Sequence, residues 1–486
     1  MSSGKIENLN LLELLKEFQD SSDIVIRTKS FNEGETLEFI KVLYCSNLVN
    51  IQFINQVIPD IFDFAKKEGN LNYEQINTIV QASKLREPTN VKNEVEEKLF
   101  SGDLVLFSSF SNDIFFIQSA NIPKRSPEES NTETSVRGPR DGFVENISDN
   151  MALVRQRLKT TSLKSEEYII GERSKTRVLL LYMDDIINPS LLNNVKTRLN
   201  SIKLDIVVSS YEIEELLYDQ TYSILPLMDS IGRPDFVVQS LNQGRFAILV
   251  DGNPSCLIGP TSFGQILYSP EDVHASFIYI NLVRILRILA LITTIYLPGF
   301  YIALITFQLD QVPYPFLATI AVSRLGLPLS APIEAFVMLA FFELFKEAGI
   351  RLPKAVGQTV AVLGGLFIGD AAIRAGLTSP SMLVVIALTV ISGYTLINQN
   401  IAGNIVILRF FVLLCSSCLG LLGFFTSAIL ISTMVVSLES FGQPYVLTFS
   451  KINKFDFINT FVRLPQKFLK KRHQAVNPVD GDRQKE

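Results

Sequence analysis

The sequence contains very few histidines, and it lacks the short motifs that identify common enzyme classes. His274 and His473 are the only two histidines among 486 residues, which leaves little material for a histidine-based metal site or acid–base pair. The chain has no P-loop, no G-x-G-x-x-G, no G-x-S-x-G and no H-E-x-x-H. We therefore expect no enzymatic activity, no cofactor and no bound metal.

Cysteine is also scarce, and the chain has no excess of positive charge. The four cysteines offer no disulfide framework, as is typical of a protein in a reducing compartment. Cys415 and Cys418 lie in an apolar run, where we expect them to pack as small hydrophobic side chains. A net charge of −5 argues against nucleic acid as a partner. The first 30 residues contain no apolar signal-peptide core, so we expect the soluble part to be cytosolic.

Long uncharged runs are absent from the first half of the chain and abundant in the second. The first is 288–309, ILALITTIYLPGFYIALITFQL, which has 22 residues and no charge. As a helix it would be about 33 Å long, close to the thickness of a bilayer core. The sequence therefore predicts an α/β cytosolic region followed by an all-α polytopic membrane domain.

The region before residue 276 divides by composition into a tail and two similar α/β lobes. We assign 1–30 to an N-terminal helix and tail, 31–120 to a first lobe, 121–136 to a polar linker and 137–275 to a second lobe. In the first lobe, periodicity predicts the following strands and helices: strands 23–28, 37–44, 104–107 and 114–118, and helices 54–67 and 73–83. In the second lobe it predicts a comparable set: helices 147–159, 191–200, 212–218 and 236–241, and strands 178–183, 206–208, 246–250 and 255–258.

Two pairs of stretches suggest that the lobes arose by duplication. LYCSNLVN at 43–50 is similar to LYMDDIIN at 181–188, and KLFSGDLVLF at 98–107 is similar to SLNQGRFAIL at 240–249. Order and spacing are both preserved, which favours duplication over chance likeness of helix–glycine–strand patterns. If the duplication is real, the cleft between the lobes is the expected ligand or partner site.

The membrane domain, assigned to 276–445, contains five apolar blocks. They are 288–309, 325–342, 355–369, 381–397 and 410–438. Arg284 and Arg287 precede the first block and place that end in the cytosol. Pro298 and Gly299 interrupt the same block, so we expect it to act as a bent lever whose straightening would uncouple the two regions. The basic tail at 446–486 is expected to be cytosolic and close to anionic lipid.

The number of crossings stays open at this point. Two cytosolic termini require an even number. Six crossings result if 355–369 spans the membrane and 410–438 forms a hairpin near Gly420–Gly423. Four result if 355–369 is re-entrant and 410–438 is a single tilted helix.

Five stretches together carry a resemblance to a known family. They are RGPRDGFVENISDNMALVRQRLK (137–159), ERSKTRVLLLYMDDIINP (172–189), RPDFVVQSLNQGRFAILVDGNP (233–254), SPEDVH (269–274) and RLPKAVGQTVAVLGGLFIGDAAIRAGLTSP (351–380). With them the chain resembles the A subunit of GerA-type spore germinant receptors. The resemblance implies a multi-pass protein of the spore inner membrane with a large cytosolic N-terminal region. It also implies partners, namely a transporter-like, nutrient-binding B subunit and a lipoprotein C subunit, and a homo-oligomeric channel that releases monovalent cations when nutrient binds.

The block at 355–369 is the best candidate for a pore lining. Gln358, Val362, Gly365 and Gly369 share one helical face, and Gly364 adds to a glycine-rich surface. A ring of Val362 would gate by dewetting, and a ring of Asp370 would favour cations. The alternative is that the glycine face packs on a neighbouring helix and that Asp370 pairs with Arg374.

Several other charged residues are candidates for function. Glu334 is an acid at membrane depth and is expected to be functional, unless it pairs with Lys346 or Arg324. Arg137, Arg140, Asp141 and Glu145 are candidates for contacts between subunits, unless they pair among themselves within a turn. A nutrient-binding sensor and a secondary transporter remain the alternative functions.

Overall fold

The computed structural model describes most of the chain. The described residues are 18, 21–33, 36–68, 73–85, 91–109, 113–121, 138–265, 268–351, 369–396, 399–446, 462–465, 467, 470–472 and 476–483. The predicted helix at 9–18, except for Phe18, and the linker after residue 121 lie outside these ranges.

The first lobe is a five-stranded antiparallel sheet with helices packed against it. Its elements are β1 (Ile24–Glu33), β2 (Thr36–Cys45), α1 (Ile51–Glu68), α2 (Tyr73–Ile79), β3 (Ala82–Lys84), α3 (Val91–Leu99), β4 (Asp103–Ser108) and β5 (Asp113–Gln118). The strand order is β1-β2-β4-β5-β3. β1 pairs with β2 over its whole length, so the sheet begins within the segment that the sequence assigned to the tail.

The second lobe repeats this plan. Its elements are α4 (Ile147–Arg157), β6 (Leu163–Ile170), β7 (Thr176–Met183), α5 (Pro189–Ser201), α6 (Ser210–Leu217), β8 (Asp229–Ile231), α7 (Pro234–Leu241), β9 (Phe246–Val250) and β10 (Cys256–Gly259). The order β6-β7-β9-β10-β8 matches the first sheet strand for strand, and all neighbours are antiparallel. The two lobes are therefore topologically alike, as their sequence similarity predicted.

Both faces of the second sheet are buried, which explains the continuous apolar run at 178–183. Val178, Leu180 and Tyr182 face one core, and Leu179 and Leu181 face another. This alternation is the two-residue period of a strand, and helices cover both faces. The run thus lacks the polar positions of a half-exposed strand.

The rest of the described chain is mostly helical. The helices are α8 (Phe277–Phe307), α9 (Tyr314–Ser323), α10 (Ala331–Arg351), α11 (Gly369–Arg374), α12 (Pro380–Tyr394), α13 (Gln399–Leu419) and α14 (Leu421–Ser437). By length and composition, α8 is the one helix among the described residues that meets the full criteria for a membrane span. Four shorter apolar helices, in 314–323, 380–394, 403–419 and 421–437, accompany it.

The predicted break in the first apolar block is wrong. α8 runs unbroken from Phe277 to Phe307 with Pro298 inside it. Gly299 has a packing role instead, because a Cβ there would lie 2.7 Å from Cγ1 of Val412 on α13. The Pro298-Gly299 pair therefore permits close helix packing and does not separate two half-helices.

The last apolar block forms a helical hairpin, one of the two alternatives predicted for it. Gly420 separates α13 from α14 with a φ of +63°, a conformation that side chains other than glycine rarely adopt. It also packs against the Phe307 ring, since a Cβ there would lie 2.9 Å from Cγ of that residue. The turn between α13 and α14 therefore sits at the far end of α8.

After α14 the chain returns to the second lobe. The Ser440 hydroxyl donates to the Leu227 carbonyl over 2.7 Å, and the Tyr445 hydroxyl donates to the Pro226 carbonyl over 3.1 Å. Val476 is buried in the second-lobe core. The segment after α14 and Val476 of the tail thus contact the second lobe, and the expected closeness of the tail to anionic lipid stays a prediction.

Two local predictions are also wrong. Residues 206–208 are not a strand: hydroxyl groups hold Val207, with the Ser174 oxygen accepting from its N–H and Thr176 donating to its carbonyl. The helix predicted over 73–83 ends at Ile79, and β3 follows from Ala82 to Lys84.

Candidate functional site

Asp272 is a buried carboxylate where the second lobe meets the first helix of the helical region, α8. The preceding Ser269 begins a capping box, in which its side chain and that of Asp272 each accept a backbone N–H. Arg287 of α8 then donates two hydrogen bonds to Asp272, over 2.9 and 3.0 Å. Arg284 Nε lies 3.6 Å from the same carboxylate. The two predicted coupling arginines therefore meet on one acid of the second lobe.

The C-terminal tail reaches the same junction. Arg463 donates to the carbonyl oxygen of Asp272. Asn281 on α8 makes two hydrogen bonds to the Arg463 backbone, of 2.7 and 3.1 Å. The Arg284 guanidinium lies over the Tyr268 ring at 4.0 Å, a cation–π distance. Lobe, first helix and tail are thus tied together within a few residues.

Three of the stretches that carry the family resemblance converge beside this junction. Arg233, which is buried, donates to Asp235 over 3.1 and 2.6 Å and also pairs with Glu271. Burial would lower the pKa of Arg233, but hydrogen bonds to these two acids outweigh it and raise the pKa. Gly138 packs against Arg233 and His274, which leaves no room for a Cβ. Residues from three of the stretches that resemble the family are therefore in contact with one another beside Asp272.

The two lobes meet at a second buried ion pair. Asp23, just before β1, accepts 2.9 and 2.8 Å hydrogen bonds from Nε and Nη2 of Arg155 on α4. Ser165 donates to the same carboxylate over 2.9 Å. Burial acts to raise the pKa of Asp23, but Arg155 and Ser165 outweigh it and lower that pKa. The lobes are therefore joined by a buried, paired contact, and the ligand or partner site predicted between them stays a prediction.

Glu334 lies fully buried near the start of α10. One of its oxygens accepts from the Ser379 N–H over 2.5 Å, the Ser379 hydroxyl over 2.8 Å and the Thr378 hydroxyl over 2.9 Å. The other oxygen lies 3.7 Å from Arg324 Nη2. Of the two predicted partners, Arg324 is therefore the one observed, while Lys346 pairs with Glu343.

A second buried charge pair crosses the helical region. Arg409, in the middle of α13, is almost fully buried and pairs with Glu343 of α10. An unpaired arginine at this depth would be strongly unfavourable, so the pair holds α10 to α13. Helical periodicity did not predict this ion pair, because its two residues are 66 positions apart in the sequence.

The match to known proteins decides the family. Residues 12–475 match the family described as Bacillus/Clostridium GerA spore germination protein. The chain belongs to the GerA family of spore germination proteins.

Individual relatives agree with this family membership. The chain is 39% identical to spore germination protein XA of Bacillus anthracis, an alignment that covers 96% of each protein. It is 32% identical to spore germination protein B1 of Bacillus subtilis, covering 98% of each. The N-terminal domain of the A subunit of the Bacillus megaterium germinant receptor GerK3, a crystal structure, matches with 29% identity and a TM-score of 0.39. That match covers 54% of this chain and 98% of the other.

The predicted pore residues of this GerA-family chain are only partly described. Gln358, Val362, Gly364 and Gly365 lie outside the described residues. Gly369 begins α11 and packs against Leu383. A Cβ on Gly369 would lie 3.2 Å from Cδ2 of Leu383. Asp370 forms a 2.8 Å ion pair with Arg374, and both side chains are largely exposed. The pairing alternative is therefore observed in the single chain.

The predicted assembly residues make contacts within the chain. Arg137 lies outside the described residues. Asp141 pairs with Arg157 of α4. The Glu145 carbonyl accepts from the Gly252 N–H over 2.8 Å. This part of the GerA-family sequence thus builds the second lobe.

The junction acid Asp272 is the main functional candidate that residue-by-residue reasoning missed. Its signal was present, because S-P-E-D has an acid three residues after a capping serine. Asp23 carried no such signal, since its partner Arg155 is 132 positions away. Among the described residues of this GerA-family chain, no cluster of histidine, cysteine and acidic side chains has the geometry of a metal site.

Proposed function

We propose that this chain is the A-type membrane subunit of a spore germinant receptor and that it transduces a nutrient signal into cation release. The role is not enzymatic. The observation that carries the proposal is the Asp272 junction, where Arg287 of α8 is held bidentately by the second lobe. A displacement of the lobe is transmitted to α8, because a buried, doubly hydrogen-bonded ion pair leaves little freedom to slip.

α8 is suited to carry that displacement through the membrane. It has 31 residues and is about 46 Å long. It packs against α10, α12, α13 and α14, so its movement reaches the rest of the helical region. The far end of α8 touches Gly420 between α13 and α14. The first helix therefore connects the cytosolic junction to the opposite side of the bundle.

We propose six crossings, with both termini in the cytosol. α10 starts beside Ser379 at the beginning of α12, as the contacts of Glu334 show. α11 touches that same beginning of α12 through Gly369 and Leu383. Because α10 has 21 residues and is about 31 Å long, its last residue lies at the opposite end. We therefore assign the remaining crossing to the sequence between α10 and α11, which contains the glycine-rich stretch.

We further propose that this glycine-rich stretch lines the pore of a homo-oligomeric channel. Val362 would form its constriction, and Asp370 would select cations at one mouth. In this arrangement the exposed Asp370–Arg374 pair is rearranged or shared on assembly. The exposed apolar side chains of α8, α12 and α14 would face lipid or neighbouring subunits.

The receptor context supplies the partners. By family membership, we propose assembly with a transporter-like B subunit that binds the nutrient and with a lipoprotein C subunit. We place the complex in the inner membrane of the spore. This chain would then couple nutrient binding to channel opening and conduct the cations, and the B subunit would bind the nutrient.

Planar-bilayer recording of the purified receptor complex tests the channel and the coupling together. The expected result is cation-selective single-channel steps that nutrient evokes. We expect Asp272→Asn to assemble normally and to reduce the nutrient-evoked open probability at least tenfold. Asp205→Asn is the matched control, because Asp205 forms an exposed ion pair with Arg173 on the same lobe.

Three results would contradict the proposal. Flux that is strictly coupled to a substrate, without single-channel steps, would indicate a secondary transporter. Nutrient binding that this chain shows without the B subunit would indicate a sensor. Normal gating in Asp272→Asn would remove the junction from the mechanism.

A further inference from the structure

A cavity of about 450 Å³ lies where the second lobe, the start of α8 and the C-terminal tail meet. Its lining is rich in positive charge. The cationic side chains are Arg245, Arg284, Arg463, Lys471, Arg472 and Arg483, against the two carboxylates Asp235 and Asp272. Charge of one sign concentrated in a walled space attracts ions of the opposite sign.

Arg245 is the buried floor of this cavity. It precedes β9 and exposes only 4% of its surface. Its Nε and Nη1 atoms have no hydrogen-bond partner among the described residues. Burial lowers the pKa of Arg245 to about 10, and Asp229 and Tyr268 offset this only in part. At neutral pH it is therefore a buried cation with unused donors, a costly arrangement unless a ligand supplies acceptors.

The arginines of the tail add to this excess. Burial, Arg284 and Arg483 all act to lower the pKa of Arg463, and Asp272 offsets only part of their effect. Burial and Arg472 likewise lower the pKa of Arg483. Arginines from the helix and the tail thus repel one another inside the cavity. Such crowding is stabilised when an anion sits among the guanidinium groups.

The carboxylates of the lining do not neutralise these charges. Asp272 is engaged by Arg287 through two hydrogen bonds. Asp235 is engaged by Arg233, and His274 lies 3.3 Å from it. Arg233 and Arg287 are not among the six lining cations, so each acid is also held by a charge outside the cavity. Of the lining cations, Arg284 lies 3.6 Å from Asp272 and Arg472 pairs with Asp480. The six cations still outnumber these three carboxylates. The lining therefore keeps a net positive charge.

We propose that this cavity binds a phosphate-bearing anion, to which Arg245 donates and which Arg284, Arg463 and Arg483 surround. The unused Nε and Nη1 donors of Arg245 lie on different edges of its guanidinium, so each needs an acceptor of its own, and a phosphate offers several oxygens. Convergence of several guanidinium groups favours a dianion over a single carboxylate. The volume leaves room for an organic substituent on the phosphate.

Two sources could supply this phosphate, a soluble phosphate ester or the headgroup of an anionic lipid. The first turn of α8 exposes Phe277, Ile278 and Tyr279 beside the cavity, which places the site at the level of the membrane surface. In either case the anion joins the second lobe, the first helix and the tail. Its binding would stiffen the junction at which Asp272 holds Arg287.

Binding to the full-length protein in nanodiscs tests the proposal. Inorganic phosphate and glycerol phosphate are titrated in phosphatidylcholine nanodiscs at constant ionic strength, with chloride as the reference anion. Phosphatidylglycerol is titrated into the nanodiscs in a separate arm. We expect saturable binding in at least one arm and a dissociation constant raised at least tenfold by Arg245→Gln. Arg463→Gln with Arg483→Gln provides a second test that leaves the lobe core intact.

Arg173→Gln is the matched control, because it removes one exposed positive charge from the same lobe at a remote ion pair. Binding of the soluble phosphates that depends on Arg245 identifies a free ligand, and binding that only phosphatidylglycerol shows identifies a headgroup. Both results support the site. No preference over chloride, or equal loss in Arg173→Gln, would overturn it, as would wild-type binding in both cavity variants.

Discussion

Asp23 of the first lobe and Arg155 of the second form a bidentate ion pair in which both side chains are almost completely buried. Arg155 also donates to the carbonyls of Thr160 and Leu163 and lies over the Phe100 ring at 4.5 Å. The pair therefore anchors the first lobe to the start of the second sheet. Two lobes with the same topology are fixed in one orientation by a contact that neither lobe could make alone.

Breaking this pair should loosen the first lobe from the second. Asp23→Asn leaves Arg155 buried without its counter-charge, which costs about 3–5 kcal/mol. The reactivity of Cys45 measures this loosening, because its buried thiol donates to Asp23 over 3.4 Å. We expect Cys45 in the full chain to react with a maleimide at least tenfold faster, measured by mass spectrometry. Arg173→Gln should leave that rate unchanged, and equal rates in the Asp23 variant would show that the pair is dispensable.

The same pair predicts a pH dependence with a definite sign. The pKa of Asp23 is lowered in the folded protein relative to an ordinary value of 3.8. Its contribution to stability is therefore present above pH 3.8 and is lost as the pH falls through the lowered value. Thermal unfolding followed by circular dichroism should show a loss of stability on acidification that is smaller in Asp23→Asn. A parallel pH response in both proteins would contradict the assignment.

Glu214 should act in the opposite direction. It is buried on α6, and burial with a smaller contribution from Asp229 raises its pKa from 4.5 to about 7, although the Tyr218 hydroxyl donates to it. The folded protein then holds a proton that the unfolded chain releases between pH 4.5 and 7. Stability from this group is present below pH 4.5 and is lost as the pH rises through about 7.

Glu214→Gln removes this dependence and keeps the acceptor for Tyr218. We expect the variant to resemble the wild type near pH 4.5 and to be more stable at pH 8, by up to about 3 kcal/mol. Melting temperatures at both pH values check the prediction. Glu212→Gln is the control, because it removes a less buried acid from the same helix. Lower stability of Glu214→Gln at pH 8 would contradict the argument.

The sequence predicted the elements of both lobes whose periodicity is strong, but it missed β6 (Leu163–Ile170) and α3 (Val91–Leu99), in which charged residues interrupt the apolar pattern. The run at 178–183 lies in β7 and the helix at 191–200 lies in α5. It could not predict β3 or β8, since three residues provide no period. It left the 410–438 block open, because composition does not distinguish a long helix from two short ones. In the structure, Gly420 adopts a positive φ and divides the block into two helices.

The site was harder to predict than the fold for a physical reason. Arg284, Arg287 and Glu334 were identified because charge next to or within apolar sequence is unusual. Arg324 was also named as a possible partner of Glu334 and is observed there. The partners of Arg284 and Arg287 were not predicted, because ion pairs such as Asp272–Arg287 and Glu343–Arg409 depend on tertiary packing. The stretch at 137–145 was assigned to contacts between subunits, and that assignment stays a prediction. Within the chain, Asp141 pairs with Arg157 and the Glu145 carbonyl accepts from the Gly252 N–H.

The pair of Glu343 and Arg409 should behave as a coupled unit. Glu343→Gln leaves the buried Arg409 cation without its partner, whereas Arg409→Met leaves Glu343 its contact with Lys346 at 3.7 Å. We therefore expect both variants to reduce the amount of folded protein in the membrane, Glu343→Gln severalfold and Arg409→Met by less. The double variant removes both charges and should recover part of that loss. Quantitative immunoblotting of membranes after mild heating measures this. Purely additive losses would show that the two residues are not coupled.

Close packing at Gly299 yields a prediction with a built-in rescue. A Cβ at this position would lie 2.7 Å from Val412 Cγ1 and 2.9 Å from Ser416 Oγ. Gly299→Ala should therefore force α8 and α13 apart and lower the melting temperature of the full chain in detergent by several degrees. Val412→Ala removes the clashing methyl groups, so the double variant should melt above Gly299→Ala alone. Gly403→Ala on α13 is the control, because its Cβ would meet nothing within 4 Å. If Gly299→Ala melts at the same temperature as the wild type, α8 and α13 are not in close contact at this point. Movement of α8 would then not be passed directly to α13.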